Sequence, residues 1–143
     1  MRTQVPKKEL DLLAQVPLFS TCTQRELWTI GQLGTEVEVP AGKVLTRRGS
    51  PAREFFLVLE GKAECTVGTR KVAVFGPGDY FGELALIEGG PRTATVTAET
   101  PMRLLVLDAG EFSSLMESAP SITPKLLNVL ARRLRHLQDS YSL

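Results

Sequence analysis

The sequence predicts a mainly β domain, a small antiparallel sandwich or barrel with helices before and after it. Three observations predict it. Between Thr35 and Leu107 apolar residues mostly recur at every second position, the period of a half-buried strand. These runs are short and are broken by turn residues about every 8–12 positions, the spacing of an antiparallel sandwich or barrel. On both sides of the region the apolar spacing lengthens to three and four, the period of a helix.

The helical part comes first. Leu10, Leu13 and Ala14 share one helix face, and Pro17 ends the run. Val16, Leu18 and Phe19 then pack on whatever lies beneath. Thr23 followed by Glu26 has the form of a capping box, each side chain satisfying a free amide at a helix start. Leu27, Ile30, Gly31 and Gly34 continue at helical spacing. From Thr35 the period becomes two: Val37 and Val39 alternate with Glu36 and Glu38, and Pro40-Ala41-Gly42 turns the chain. Val44 and Leu45 begin a second strand, ended by Gly49-Ser50-Pro51. The apolar run Phe55 to Leu59 closes at Glu60-Gly61. Ala63, Cys65 and Val67 alternate with polar neighbours up to Gly68. Val72 and Val74 follow, then the turn Gly76-Pro77-Gly78-Asp79. Arg92 to Glu99 alternates again, with Ala94, Val96 and Ala98 on one face, and Leu104 to Leu107 is the last strand. Phe112, Leu115 and Met116 form a short helical stripe. Thr123 as N-cap and Pro124 in the first turn open a terminal helix.

With no internal repeat, the 143 residues form one domain: helices over 1–34, the β region over 35–108, and a hinge and helix over 109–143. Hydrophobic residues are 43% and charged residues 23%, enough to build a core. Seventeen basic against sixteen acidic side chains leave +1, which gives no reason to expect nucleic acid or a lipid surface. Two cysteines, Cys22 and Cys65, are too few for a disulfide scaffold or an iron–sulfur cluster, and the single histidine, His136, excludes a three-histidine metal site. No apolar run approaches the roughly 20 residues of a membrane helix, and no apolar signal core follows Arg2, Lys7 and Lys8. A cytoplasmic protein follows as the expectation, with two unpaired cysteines suited to a reducing compartment.

The chemistry is concentrated between Phe81 and Ala94. Alternation carried back from Ala94 and Val96 puts Arg92 inside the β region. A guanidinium cannot lose its charge there, so it requires an anionic partner, either a protein carboxylate or a ligand phosphate. Glu83 to Ile87 suits one helical turn launched from Gly82, and the first amides of such a turn favour a phosphate. Gly82 lets backbone come close. The reversal Glu88-Gly89-Gly90-Pro91 returns Arg92 beside those amides. Free amides and a forked guanidinium make a pocket for a phosphodiester, while Glu83 accepts from a ribose hydroxyl or pairs with Arg92.

Phe81-Gly82-Glu83-Leu84-Ala85 with Pro91-Arg92-Thr93-Ala94-Thr95-Val96 resembles the phosphate-binding cassette, residues 81–94 here, of cyclic-nucleotide-binding domains. Those are the modules of the catabolite activator protein, of the protein kinase A and G regulatory regions and of cyclic-nucleotide-gated channels. Val16-Pro17-Leu18-Phe19, Pro40-Ala41-Gly42, Phe56 to Gly61 and Phe75 to Glu83 sit where the family has similar sequences, so the resemblance covers nearly the whole chain. It implies an eight-stranded antiparallel jelly-roll barrel flanked by N-terminal helices and a C-terminal hinge and helix. It implies that Arg92 binds the phosphate of a 3′,5′-cyclic nucleotide, that Glu83 accepts the ribose 2′-hydroxyl with Gly82 supporting the turn, and that amides near Leu84 and Ala85, joined by Thr93 and Ala94, complete the cradle. The ligand is cAMP in preference to cGMP. Thr93 does not decide between them: hydroxyl residues occur there in cGMP-binding kinase domains and in bacterial cAMP receptors, and strand parity turns Thr93 outward unless regular pairing begins after it.

Leu127, Leu130, Leu134, Leu137 and Tyr141 are spaced 3, 4, 3 and 4, an a/d seam. That face packs on its own barrel, forms a homodimer seam, or closes over the purine as a lid. Leu137 and Gln138 stand where the activator protein has small hydroxyl residues against adenine, and Tyr141 is placed to stack on a base. Arg132, Arg133, Arg135 and His136 read as a solvated basic face. Ending at Leu143, the chain has no reading helix and is not expected to touch DNA itself; its effector is a domain or partner outside this sequence. A regulatory module of prokaryotic type, neither enzyme nor cofactor carrier, is the expectation. The competing readings are a metal enzyme on the related cupin barrel, which lacks its histidines here, a heme or redox sensor using Cys22 or His136, and a barrel that binds no nucleotide and serves only as an interaction module.

Overall fold

The computed structural model describes residues 7–140, with side chains described from Leu10 to Arg135. Helix α1 (Lys7–Ala14), a 3-10 turn (Pro17–Phe19) and α2 (Gln24–Leu33) lead into strands β1 (Thr35–Val39), β2 (Val44–Thr46), β3 (Glu54–Glu60), β4 (Ala63–Val67), β5 (Arg70–Phe75) and β6 (Tyr80–Phe81). The short α3 (Glu83–Glu88) precedes β7 (Thr95–Ala98) and β8 (Met102–Asp108), and α4 (Ala109–Ser118) and α5 (Ile122–Ser140) follow. The eight strands form two four-stranded sheets, ordered β1-β8-β3-β6 and β2-β7-β4-β5, with antiparallel pairing throughout. This is a jelly roll of two facing sheets rather than one closed ring.

Burial explains why two strands are apolar without alternation. The β1-β8-β3-β6 sheet is covered on both faces. Phe55, Leu57, Leu59, Tyr80, Leu105 and Leu107 pack toward the helices with Leu27, Ile30, Phe112, Leu115 and Ile122. Phe56, Val58, Phe81, Leu104 and Val106 pack toward the other sheet with Ala63, Cys65, Val96 and Ala98. Successive side chains of a strand point to opposite faces, so β3 and β8 supply both cores at once. The β2-β7-β4-β5 sheet has one face in the core, and its strands keep the alternation.

The capping box at α2 forms as the spacing predicts: the Glu26 amide donates to Thr23 Oγ1 at 3.1 Å and the Thr23 amide donates to Glu26 Oε1 at 2.8 Å. A second box opens α4, where the Glu111 amide donates to Asp108 Oδ1 at 2.8 Å and the Asp108 amide to Glu111 Oε1 at 2.9 Å.

Two elements differ from the sequence reading, and a third settles a parity that the sequence leaves open. The last inner strand is shorter than Arg92 to Glu99: β7 holds four residues, because Arg92 is bonded instead to the β2–β3 loop. In β5, Val72 and Val74 are 49% and 45% exposed, while Ala73 and Phe75 pack inward; a register shift opposite Cys65 and Thr66 leaves Val72 unpaired and sets that parity. The terminal helix starts at Ile122, so Thr123 lies inside its first turn and is not its cap. Ile122 is fully buried and its amide donates to the Ala119 carbonyl at 3.0 Å, which starts the helix early.

No described helix is long and apolar enough to cross a membrane.

Candidate functional site

The segment from β6 to β7 builds one wall of a cavity of about 280 Å³. Gly82 stands at φ +94° as the residue before α3, a left-handed conformation that glycine adopts without strain. Space requires glycine as well: a Cβ there would lie 2.6 Å from Arg92 Nη1 and 2.8 Å from the Glu54 carbonyl. The turn brings the first residues of α3, Glu83 to Ala85, to the cavity wall, and in a helix the first amides have no acceptor of their own. Gly82, Glu83, Leu84, Ala85, Arg92, Thr93 and Ala94 all line this cavity, with Thr46, Cys65, Ala73, Phe75, Tyr80, Phe81, Val96 and Arg133. Thr93 faces it because regular pairing in β7 starts at Thr95.

Arg92 is 7% exposed. Its backbone is pinned to the β2–β3 loop, the Gly49 amide donating to the Arg92 carbonyl and the Arg92 amide to the Ser50 carbonyl, both at 2.9 Å. Its guanidinium donates to the Gly82 carbonyl at 3.1 Å and to the Glu54 carbonyl, and stands 6.0 Å from the centre of the Phe56 ring. Phe56 stacks on Phe81, and Phe81 on Phe75, with centroids 4.9 and 5.0 Å apart, so an aromatic row runs from the guanidinium along the cavity. Burial pushes the Arg92 pKa down, against the opposing pull of Glu54 and Glu83. Its hydrogen bonds go to neutral carbonyls, which satisfy donors without cancelling the charge.

Glu83, 3% exposed, does not pair with Arg92 as one of the sequence alternatives had it. Its Oε1 accepts from Arg133 Nη1 of α5 at 2.8 Å. Arg133 is therefore a site residue, not part of a merely solvated basic face, although its side chain remains 48% exposed. The signal was in the helix period. Among the described side chains of α5, Ile122, Leu126 and Leu130 are the apolar ones that face its own core, and Arg133 is the next position on that stripe.

The family model for the cyclic nucleotide-binding domain matches residues 36–119. The chain belongs to this family. A cyclic nucleotide-gated potassium channel of Mesorhizobium japonicum is 42% identical over 111 residues, which cover 78% of this chain and 31% of the channel. A CRP-like cAMP-activated global transcriptional regulator of Mycobacterium tuberculosis is 28% identical over 137 residues, 91% of this chain and 60% of the regulator. Among solved structures, the Thermus thermophilus catabolite activator protein superposes with a TM-score of 0.81 at 29% identity, over 88% of this chain and 62% of its own. The chain thus spans 31% to 62% of the length of these relatives.

In this cyclic nucleotide-binding domain α5 carries two apolar stripes rather than one seam. Leu126 is buried and Leu130 packs against the helix-side core, whereas Leu127 and Leu134 are 62% and 59% exposed. Packing on the own chain thus accounts for Leu130 but not for Leu127 and Leu134. The base-lid expectation for Leu137, Gln138 and Tyr141, and the ligand reading of His136, fall outside the described side chains. Cys65 is buried in the cavity wall, and burial raises its thiol pKa. Cys22, half-buried beside Glu26, is pushed up to about 11 by burial and by that carboxylate.

The start of α5 is tied to the N-terminal helices. Glu26 accepts from the Ser121 hydroxyl at 2.9 Å and from its amide at 3.3 Å, strapping the start of α2 to the start of α5. The Thr23 amide and these two donors hold the Glu26 pKa below the ordinary carboxyl value.

Proposed function

We propose that this domain is a regulatory sensor that binds a 3′,5′-cyclic nucleotide, cAMP in preference to cGMP, in the cavity bounded by α3 and Arg92. The reading rests on one observation above the others: a buried guanidinium on the cavity wall whose hydrogen bonds all go to neutral carbonyls. A cyclic phosphodiester carries the single negative charge that this arrangement lacks, and its two free oxygens match the guanidinium fork. The amides near Leu84 and Ala85, with Thr93 and Ala94, close the cradle. Glu83 accepts the ribose 2′-hydroxyl, and the purine extends along Phe75 and Phe81 toward α5.

The output is positional, a binding event rather than catalysis. Ligand on Glu83 competes with Arg133, so occupancy of the cavity and the position of α5 are linked. A ligand shifts that equilibrium only by its differential affinity for the two arrangements. The shift passes to an effector domain or partner, or to a second copy seated on Leu127 and Leu134. The domain works in the cytoplasm, where its two free thiols stay reduced.

Isothermal titration with cAMP, cGMP and 5′-AMP tests the reading. One site per chain, tightest for cAMP and weak for the open 5′-monophosphate, is expected; no heat with either cyclic nucleotide overturns it.

A further inference from the structure

Tyr80 of β6 packs its ring against Phe55, 5.7 Å between centroids, and is 9% exposed. Its hydroxyl is buried and has no hydrogen-bond partner, an arrangement that costs free energy wherever it persists. The residue lies in the partition between two cavities, the one bounded by α3 and Arg92 and a larger one between the β5–β6 turn and α5, and Arg133 lines both with it. Glu83 and Arg133 are the charged groups that act on the phenol: burial and the Glu83 carboxylate raise its pKa, and Arg133 lowers it. A carboxylate has about four lone-pair positions, and on Glu83 one of them is taken by Arg133. The phenol is a donor with nothing to donate to, on the wall of the same cavity as Glu83, an acceptor engaged by Arg133 of α5.

We propose that Tyr80 is a positioning residue for the ligand-bound state: when the ribose engages Glu83 and Arg133 withdraws, the Tyr80 hydroxyl donates to the Glu83 carboxylate and holds it against the 2′-hydroxyl. This rests on the nucleotide reading above and adds to it a residue that acts through Glu83. The exchange keeps the buried carboxylate hydrogen-bonded while α5 is released, so ligand binding does not strand a charge. It also relieves the orphaned hydroxyl only in the bound state, which biases the domain toward ligand.

The test compares wild type with Tyr80→Phe, which keeps the ring and its packing. Titrate both with cAMP and cGMP, and with the 2′-deoxy analogue of each. The proposal expects about a tenfold loss of affinity for the ribonucleotides, the scale of one hydrogen bond to a charged group, and no more than about a twofold change for the 2′-deoxy compounds, a contrast that a merely structural role does not produce. Equal losses for ribo and deoxy ligands, or no loss for either, overturn it while leaving nucleotide binding intact. A wild type that binds no cyclic nucleotide overturns the function itself, and this proposal with it. Melting of the free proteins gives a second, ligand-independent arm. Tyr80→Phe leaves the melting temperature of wild type unchanged or higher, but lowers that of Arg133→Ala, where the freed Glu83 already accepts from the phenol. A drop in wild type, or none in the Arg133→Ala background, contradicts the exchange.

Discussion

Replacing Arg92 with leucine separates binding from folding. The side chain is 7% exposed and its donors are satisfied by carbonyls rather than by a hydrogen-bonded carboxylate. In the bound state it is one member of a desolvated charge pair, and truncating one member of such a pair costs about 2–5 kcal/mol, or about 30-fold to several thousandfold in Kd. In the free state the same charge is a burden, because burial disfavours the charged form of the guanidinium. Leucine removes that burden and fills part of the volume next to Phe56, which offsets the two hydrogen bonds it takes from the Gly82 and Glu54 carbonyls. Arg92→Leu is therefore expected to lose nucleotide affinity on that scale while its urea midpoint stays level or rises. Arg92→Lys, with the charge but without the fork, falls between the two in affinity. Titration calorimetry and urea melts on the same samples supply both numbers. Unchanged affinity, or affinity and stability falling together, refutes the reasoning.

Glu83→Ala removes the acceptor for the ribose and is expected to weaken binding by about 1.5–3 kcal/mol, the range for a hydrogen bond to a charged group; titration with cAMP reads it directly. Gly82→Ala forces a side chain into a position at φ +94° with Arg92 Nη1 and a carbonyl inside contact distance, so both the urea midpoint and the affinity should drop, stability by upwards of about 1 kcal/mol. For Glu26 the pKa is lower in the folded chain than the ordinary 4.5. Its contribution is therefore complete above that value and is lost as pH falls through the lower, folded one. Urea melts from pH 7 to pH 3 should show this acid loss in wild type and a smaller one in Glu26→Gln.

Much of the fold was legible because local rules and burial agree. Thr23 and Glu26 form their box where the spacing puts it, and Phe55 to Leu59 read as one apolar run because both faces of β3 are buried. Where two parities are equally apolar the pattern is silent: Val72-Ala73-Val74-Phe75 fits either face, and a register shift turned Ala73 and Phe75 inward. The start of α5 was misplaced for a related reason, since Ile122 joins the helix through burial and not through a cap. Around the cavity, Arg92 was found by parity and Gly82 by its place before a short helix. Arg133 was missed because its charge resembled that of its exposed neighbours, and its role depends on a partner fifty positions away. The Asp108–Glu111 box was present in the letters and passed over; the orphaned Tyr80 hydroxyl exists only once β6, α3 and α5 meet.

The central claim, that Arg92 awaits a cyclic phosphodiester, is tested most directly by a crystal structure with cAMP or cGMP bound. The account predicts the phosphate within hydrogen-bonding distance of both Arg92 and the first amides of α3, with Glu83 on the ribose and Arg133 displaced from it. A nucleotide seated elsewhere, with Arg92 still donating only to the carbonyls of Gly82 and Glu54, contradicts it.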